Sequence, residues 1–313
     1  MPQTPPSSTI LPVAGGKGGV GKSFVAASLG AFLAKLHQSV ILVDLDLGAA
    51  NLHTLLGLPP PKTGLQQFIQ KSASNLSEVA IPTAIPNLRL ISSSLCTTEV
   101  ANLHHQQKVK IINAIRRLEA DYVLLDLGAG THFNTLDFFL SDNQGTVVMT
   151  PEPTAIENTI RFIRSVTIRM LKQLIKQHEF HAIVRESVDM AQNGALNSPD
   201  IIERILRYDP GKKDLMQQHL SSFTFHLVIN QFRKTNDARI GDKLKMVCGR
   251  HFYSGFDALG IVNYDDRVHD SILSRTLYVH KYPYTTAAVD LRNIAGEIIN
   301  RTAHAQEPAK AAG

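Results

Sequence analysis

The chain has 313 residues, enough for one large α/β domain or two small ones, and its 43% apolar content can fill a sizeable core. A count of 32 Lys and Arg against 27 Asp and Glu leaves a net charge of +5, too slight for a dedicated nucleic-acid binder but compatible with a weak pull toward anionic surfaces. Cys96 and Cys248 are too few and too far apart for a disulfide framework or a C-x-x-C unit, so both are read as ordinary thiols in a reducing compartment. Met1 to Thr9 lacks the basic and apolar regions of a signal peptide, and no apolar run reaches the ~18 residues of a membrane span, so a cytoplasmic protein is expected.

In chain order, short β-branched and leucine-rich runs mark strands at 10–14, 39–44, 88–92, 122–126, 146–150, 225–230 and 259–262. Runs this apolar suit strands covered on both faces, and the helical stretches between them predict a doubly wound, mainly parallel sheet flanked by helices. The clearest helix is 154–178, with Ile156, Ile160, Ile163, Met170, Leu171 and Leu174 as its apolar stripe and Thr154 and Glu157 as a capping box. Its other face carries Arg161, Arg164, Arg169, Lys172 and Lys176, a row expected to be solvated.

From 179 to 222 strand signals are few, and Ser198-Pro199-Asp200 and Asp209-Pro210-Gly211 read as a helix start and an interruption. A helical insertion is predicted there, serving as a partner surface, a nucleotide lid or a plain extension. It belongs to a single domain spanning 10–302, with disordered tails at 1–9 and 303–313.

Residues 16–23, Gly16-Lys17-Gly18-Gly19-Val20-Gly21-Lys22-Ser23, fit G-x-x-x-x-G-K-[ST] directly after the first strand and before a helix opened by Phe24. Glycines allow the backbone to wrap phosphate oxygens closely, and the helix N-terminus adds partial positive charge. Lys22 is positioned to neutralise the β- and γ-phosphates of a nucleoside triphosphate, and Ser23 to offer its hydroxyl to Mg²⁺. Asp126 ends the run YVLLD as the carboxylate opposing that metal; Asp44 and Asp46 end another strand, and one of them orients the attacking water. Guanine-specific loops carry N-K-x-D, whereas Asn230-Gln231-Phe232-Arg233 has no carboxylate, so ATP is the expected nucleotide and Asn230 a group for the adenine edge.

Lys17 is not required by an ordinary phosphate loop. With it, K-G-G-V-G-K-S resembles the deviant Walker A signature of the MinD and ParA ATPases, a P-loop NTPase family of the SIMIBI class. DLDLGAANLHTLLGL resembles that family's switch I and DLGAGTHFNTLDFF its switch II; TPEPTAIENTIRFI, VINQF and the segment beginning GIVNYDDRV also match in order. The D-x-G-A-G and Y-D-D-x-V forms look most like the FlhG branch of flagellar-number regulators, although MPQTPPSST lacks that branch's D-Q-A-x-x-L-R motif, which argues against contact with an FlhF-type GTPase.

The resemblance implies an ATPase that pairs on ATP, with Lys17 reaching the partner's phosphates, Asp46 positioning water near the metal, and Asn51 setting the switch geometry. It implies slow turnover released by a protein activator, and a spatial role in flagellar number or polar organisation. Weak membrane contact through Leu291, Ile294, Ile298 and Ile299, and location at the membrane or pole, would follow, although packing against the domain explains these four residues as well. A ParA-type DNA-partitioning enzyme, with DNA the less favoured partner, and a slow nucleotide-switched scaffold stand as alternatives.

Overall fold

The computed structural model describes residues 8–96, 103–192 and 198–306. The strands are β1 (Thr9–Ala14), β2 (Val40–Leu45), β3 (Ile81–Pro82), β4 (Leu88–Ile91), β5 (Tyr122–Leu127), β6 (Gln144–Met149), β7 (Thr224–Phe232) and β8 (Gly255–Asn263). They form one eight-stranded sheet in the order β3-β4-β2-β5-β1-β6-β7-β8. Every pair is parallel except β3 with β4. The chain therefore winds away from β1 in both directions, and β1 lies at the topological switch where α/β sheets gather their ligands. Each strand called from its apolar run is present; the two-residue β3, which has no such run, exists only through its pairing with β4.

Helices cover both faces. On one, Phe162, Ile163, Val166 and Leu171 of the helix Pro153–Gln177 pack with Val147 of β6 and Leu227 of β7. On the other, the helix Lys22–Lys35 is sandwiched between the sheet and the last helix, Thr286–Gln306, so its alanines and leucines are buried all round rather than along one stripe. Side chains such as Leu33, Leu42 and Leu124 have no exposed surface, each contributing about 1.5–3 kcal/mol of burial free energy.

Several local expectations are corrected. Helix Pro153–Gln177 starts with Pro153 in its first turn and Glu152 as N-cap, with no side-chain cap bond, so Thr154 is inside the helix rather than capping it. Its basic row is only partly solvated: Arg169 meets Asp137 at 2.7 Å and Lys172 meets Asp189 at 2.9 Å. Leu291, Ile294 and Ile298 are buried in the second core and Ile299 packs against it, so this stripe is consumed by the domain rather than offered to a membrane. Thr9 begins β1, and residues 303–306 continue the last helix, so the ordered region extends past both expected limits; the rest of the two tails lies outside the described residues.

Between 179 and 222 lie the helices Ala182–Gln192, Ser198–Tyr208 and Lys213–Ser221, with Pro210–Lys212 as a single 3₁₀ turn where the interruption was read. Val184, Val188, Ile201, Ile205, Met216 and Leu220 join the same core as the helix Pro153–Gln177. Their apolar faces are thus spent on packing.

Candidate functional site

The segment 15–21 leaves β1, turns over the C-terminal edge of the sheet and enters the helix Lys22–Lys35. Its glycines have distinct reasons. A Cβ on Gly16 would lie 2.1 Å from the Asn158 carbonyl oxygen, so the loop is pressed against the helix Pro153–Gln177 without room for a side chain. Gly21 has φ 88°, and a Cβ there would also strike Asn230 Nδ2 at 2.3 Å. Gly18 and Gly19 face open space instead, and among the described residues the N–H groups of residues 18–21 meet no protein acceptor.

Two amides of β7 hold the loop from the side: Asn230 Nδ2 donates to the Val20 carbonyl at 2.9 Å and Gln231 Nε2 to the Gly19 carbonyl at 3.2 Å. Gln231 reaches back because it sits at φ 56° in an irregular stretch where the β7–β8 register shifts. Asn230 is buried, and one of its two amide N–H groups belongs to the loop, leaving the other N–H and its carbonyl oxygen for a base edge.

The two lysines of the loop have opposite settings. Lys22 is 7% exposed, and burial lowers its pKa against the opposing pull of Asp126 and then Asp46. Lys17 is exposed, its ammonium directed at the Thr154 hydroxyl at 3.4 Å.

Beside Lys22, the parallel register sets Asp44 of β2 opposite Asp126 of β5. Both are fully buried. Asp44 is an organiser: one oxygen accepts from the Asp46 N–H at 3.2 Å and faces the Ser93 hydroxyl at 3.4 Å, and the other accepts from the N–H groups of Asn51 and Leu52 at 3.1 and 3.2 Å. Burial nonetheless raises its pKa to about 6. This removes Asp44 from the choice left open between the two strand-end carboxylates, since its oxygens are occupied by the backbone of the following segment. Asp46 is half-buried and lies over Gly128, 3.3 Å from where a Cβ of that glycine would be. Asn51 is exposed, at the start of the short helix Leu52–Leu55, held through its own N–H.

Asp126 differs from its neighbour. Neither carboxylate oxygen has a hydrogen bond of ordinary geometry, and burial first, then Asp44, raises its pKa to about 8. Ser23 and Lys22 lie close enough to oppose that rise. An ionisable group this buried and this poorly partnered is a recognised mark of a site that expects a cation. The cradle therefore fits a triphosphate with Mg²⁺: free N–H groups, a buried lysine, a hydroxyl at Ser23 and orphaned oxygens at Asp126. Among the described residues no cluster of three His, Cys, Asp or Glu side chains forms a cage for a metal by itself, so phosphate oxygens and water must complete the shell. The Gly130 N–H, at φ 84°, donates to the Gly15 carbonyl at 3.2 Å and ties the segment after β5 to the phosphate loop.

A cleft of about 640 Å³ opens on the other side of the loop, between Gly19, Gly21, Phe24 and Asn230 and the segment Asn263–Asp266. Tyr264 forms its outer edge, with the Arg233 guanidinium 3.5 Å from the ring centroid. Sequence reasoning marked Y-D-D only as a resemblance and did not see Gln231, Arg233 or Tyr264 as site residues; the position of Tyr264, directly beyond the C-terminal end of β8, was the available signal.

The comparisons with known proteins meet this geometry. A family model described as "ParA: NUBPL iron-transfer P-loop NTPase" matches residues 7–179, more than half of the chain. The chain belongs to the ParA/MinD family of P-loop NTPases. The septum site-determining protein MinD of Helicobacter pylori is 28% identical over 200 residues, 63% of this chain and 74% of that protein. The antiactivator FleN of Pseudomonas aeruginosa is 31% identical over 157 residues, so the chain spans about half of that relative, 55% of its length. MinD of Pyrococcus horikoshii, solved with Mg-ADP, superposes with a TM-score of 0.63 over 93% of this chain and 96% of its own, at 18% identity that speaks for the fold alone.

The family model's reference to iron transfer finds no ligand pair in this chain. Cys96 follows β4 and Cys248 lies in the helix Ile240–Phe252 between β7 and β8, toward opposite edges of the sheet. Burial pushes the two thiols up to about 11 and 12, away from the thiolate that a metal or cluster requires. Among the described residues no helix is long and apolar enough to cross a membrane.

Proposed function

We propose that this ParA/MinD-family protein is an ATPase that pairs on ATP and separates on hydrolysis, each copy completing the other's site. The observation that carries this reading is the contrast within one loop: Lys22 is buried beside Asp126 and Asp46, whereas Lys17, five residues earlier, is exposed and bonds, among the described residues, only to the Thr154 hydroxyl. ATP lies with its phosphates along residues 16–23, where Lys22 neutralises the β- and γ-oxygens and the helix N-terminus adds its partial charge. Ser23 and Asp126, with Asp46, hold Mg²⁺, which supplies charge neutralisation on the triphosphate. Asp46 positions the attacking water, and Asn51 keeps the Asp46 segment in shape through its bond to Asp44.

Phosphoryl transfer depends on positioning and on neutralising charge as it develops, and a cation supplied in trans is worth roughly 10³–10⁵ in rate in GTPases. The partner's Lys17 is that cation, so turnover requires pairing and is slow until an activator protein aligns the switches. Adenine occupies the cleft beside Asn230 and Tyr264. The resemblance of the D-x-G-A-G and Y-D-D-x-V forms to the FlhG branch supports a spatial role in flagellar number or polar organisation, with the paired form presenting a joint surface to its partner and locating at the pole or membrane.

The test is Lys17→Ala and Asp46→Ala, followed by sedimentation with ATP and by phosphate release. Lys17→Ala is expected to stay single and to lose turnover; Asp46→Ala is expected to pair and hydrolyse slowly. Normal turnover by the Lys17 variant, or undiminished activity of the wild type at limiting dilution, ends the shared-site reading. Retardation of DNA that weakens steeply with added salt would move the assignment to the partitioning alternative.

A further inference from the structure

The cleft beside the phosphate loop has two walls. One is formed by Gly19, Gly21 and Phe24, where the loop enters the helix Lys22–Lys35; the other begins with the segment Asn263–Asp266 at the end of β8. Loops leaving strand ends are ordinarily the more mobile parts of a fold, yet this one is held at three consecutive residues from three different elements. Asn263 donates its backbone N–H and its side-chain amide to Asp290 of the last helix, at 2.9 and 2.8 Å. The Tyr264 N–H donates to the Phe232 carbonyl at the end of β7, at 2.8 Å. Asp265 accepts from the Tyr278 hydroxyl at 2.7 Å.

Asp265 is a hub and not a reader of ligands. Its Oδ1 accepts from the Arg267 backbone N–H at 2.9 Å and from Arg267 Nε at 2.8 Å; its Oδ2 accepts from Arg267 Nη2 at 2.8 Å and from Tyr278. Each oxygen is used twice, which fills the acceptor positions of the carboxylate. Arg267 holds this carboxyl below the usual carboxylate range against the effect of burial, and Tyr278 adds to it. Arg267 is two residues away and moves with the segment, whereas Tyr278 belongs to the short helix Tyr278–Lys281 and is 1% exposed. Of these two donors, Tyr278 is the one that ties Asp265 to the core. The same ring also touches the other wall: Phe24, the residue after Ser23, meets it edge-on with ring centroids 5.4 Å apart. One buried side chain therefore links the first turn of the helix after the phosphate loop to the segment across the cleft.

We propose that Tyr278 is a positioning residue for the nucleoside half of the nucleotide: bonded to Asp265 and packed on Phe24, it sets the spacing between the two walls before a ligand arrives. A cleft already held at its working width loses less freedom on binding, which raises affinity for whatever fits between the walls. This role rests on the reading that adenine occupies the cleft. It concerns the base and ribose alone, since the phosphates are assigned to the loop.

The test is isothermal titration of the full-length protein, with Mg²⁺, against ADP and against pyrophosphate, which lacks the nucleoside. Wild type is compared with Tyr278→Phe, Asp265→Asn and the double variant. Tyr278→Phe removes one hydroxyl and keeps the ring on Phe24; Thr285, 2.6 Å from that hydroxyl, retains the Tyr282 carbonyl at 3.1 Å. Wild type is expected to bind ADP more tightly than pyrophosphate. In Tyr278→Phe that preference should fall roughly three- to tenfold, the effect of one hydrogen bond, with pyrophosphate affinity unchanged. The double variant should be no worse than Asp265→Asn, because both substitutions cut the same link. A wild-type preference retained in Tyr278→Phe overturns the positioning role and leaves the adenine reading standing. Equal weakening of both ligands, or additive losses in the double variant, also overturns it. A wild type that binds ADP and pyrophosphate equally overturns the adenine reading and this role together. If Tyr278→Phe does not fold, the preference of Asp265→Asn decides: reduced, it supports the link, and unchanged, it overturns it.

Discussion

On the two sides of β1 the C-terminal edge of the sheet is built by opposite rules. Toward β5 and β2 it gathers Asp126, Asp44 and Asp46 around Lys22, with Asp126 left unbonded and its pKa raised to about 8. Toward β6 and β7 it is tied down: Asn230 and Gln231 each donate an amide N–H to a loop carbonyl, and Arg233 stacks on Tyr264. The first side stores unmet charge that a triphosphate and metal relieve, and the second fixes where the loop lies. Chemistry and positioning are separated by one strand.

Breaking the charged side should have the largest effect. Lys22→Ala removes the cation proposed to neutralise the γ-phosphate and is expected to lower phosphate release by roughly 10²–10³-fold or more, the loss typical of one preorganised electrostatic group. Asp126→Asn should follow, with Mg²⁺-dependent turnover down by roughly 10–100-fold, because it loses the charge proposed to orient the metal's shell.

The same substitution gives a pH signature. The Asp126 carboxyl has its folded pKa raised from an unfolded value of about 4 to about 8, so the folded state holds the proton more tightly and this residue's contribution to stability falls as pH rises between those values. Without nucleotide, the stability advantage of Asp126→Asn over wild type should therefore widen from about pH 4 to about pH 8 and level off above, as read by denaturant midpoints. A gap that shrinks as pH rises would show that the carboxylate is partnered after all.

On the positioning side, Gly21→Ala should destabilise the protein by about 1–3 kcal/mol through its positive φ and the clash with Asn230, measured by thermal unfolding. Gly18→Ala, whose Cβ would meet nothing within 4 Å, should unfold like wild type, which separates backbone strain from phosphate contact. The smallest effect is expected from Tyr264→Ala, a few-fold loss of nucleotide affinity by titration, corresponding to roughly 0.5–1 kcal/mol for an exposed ring–cation edge. If Tyr264→Ala outweighed Lys22→Ala in affinity, the division of labour drawn across β1 would be reversed.

Much of the architecture could be read from the chain because its signals are local. A strand buried on both faces needs a continuous apolar run, and seven such runs became seven of the eight strands. The phosphate loop was legible for the same reason: glycine at 16 and 21 answers a contact and a backbone angle within one turn of chain. Gln231 was not, because its role depends on a register shift two strands from the loop it holds. The last helix was open to two readings, packing or membrane contact, since Leu291, Ile294 and Ile298 have the same spacing whether they meet lipid or the helix Lys22–Lys35.

By itself, then, the sequence determined which segments are strands, where the glycine-rich loop lies and that two lysines share it, because helix period, strand burial and glycine geometry act over a few residues. Only the tertiary structure decided that Asp44 serves the backbone while Asp126 keeps its oxygens free. That outcome rests on which side chains the parallel register sets side by side, and register is a property of paired strands that no single strand carries.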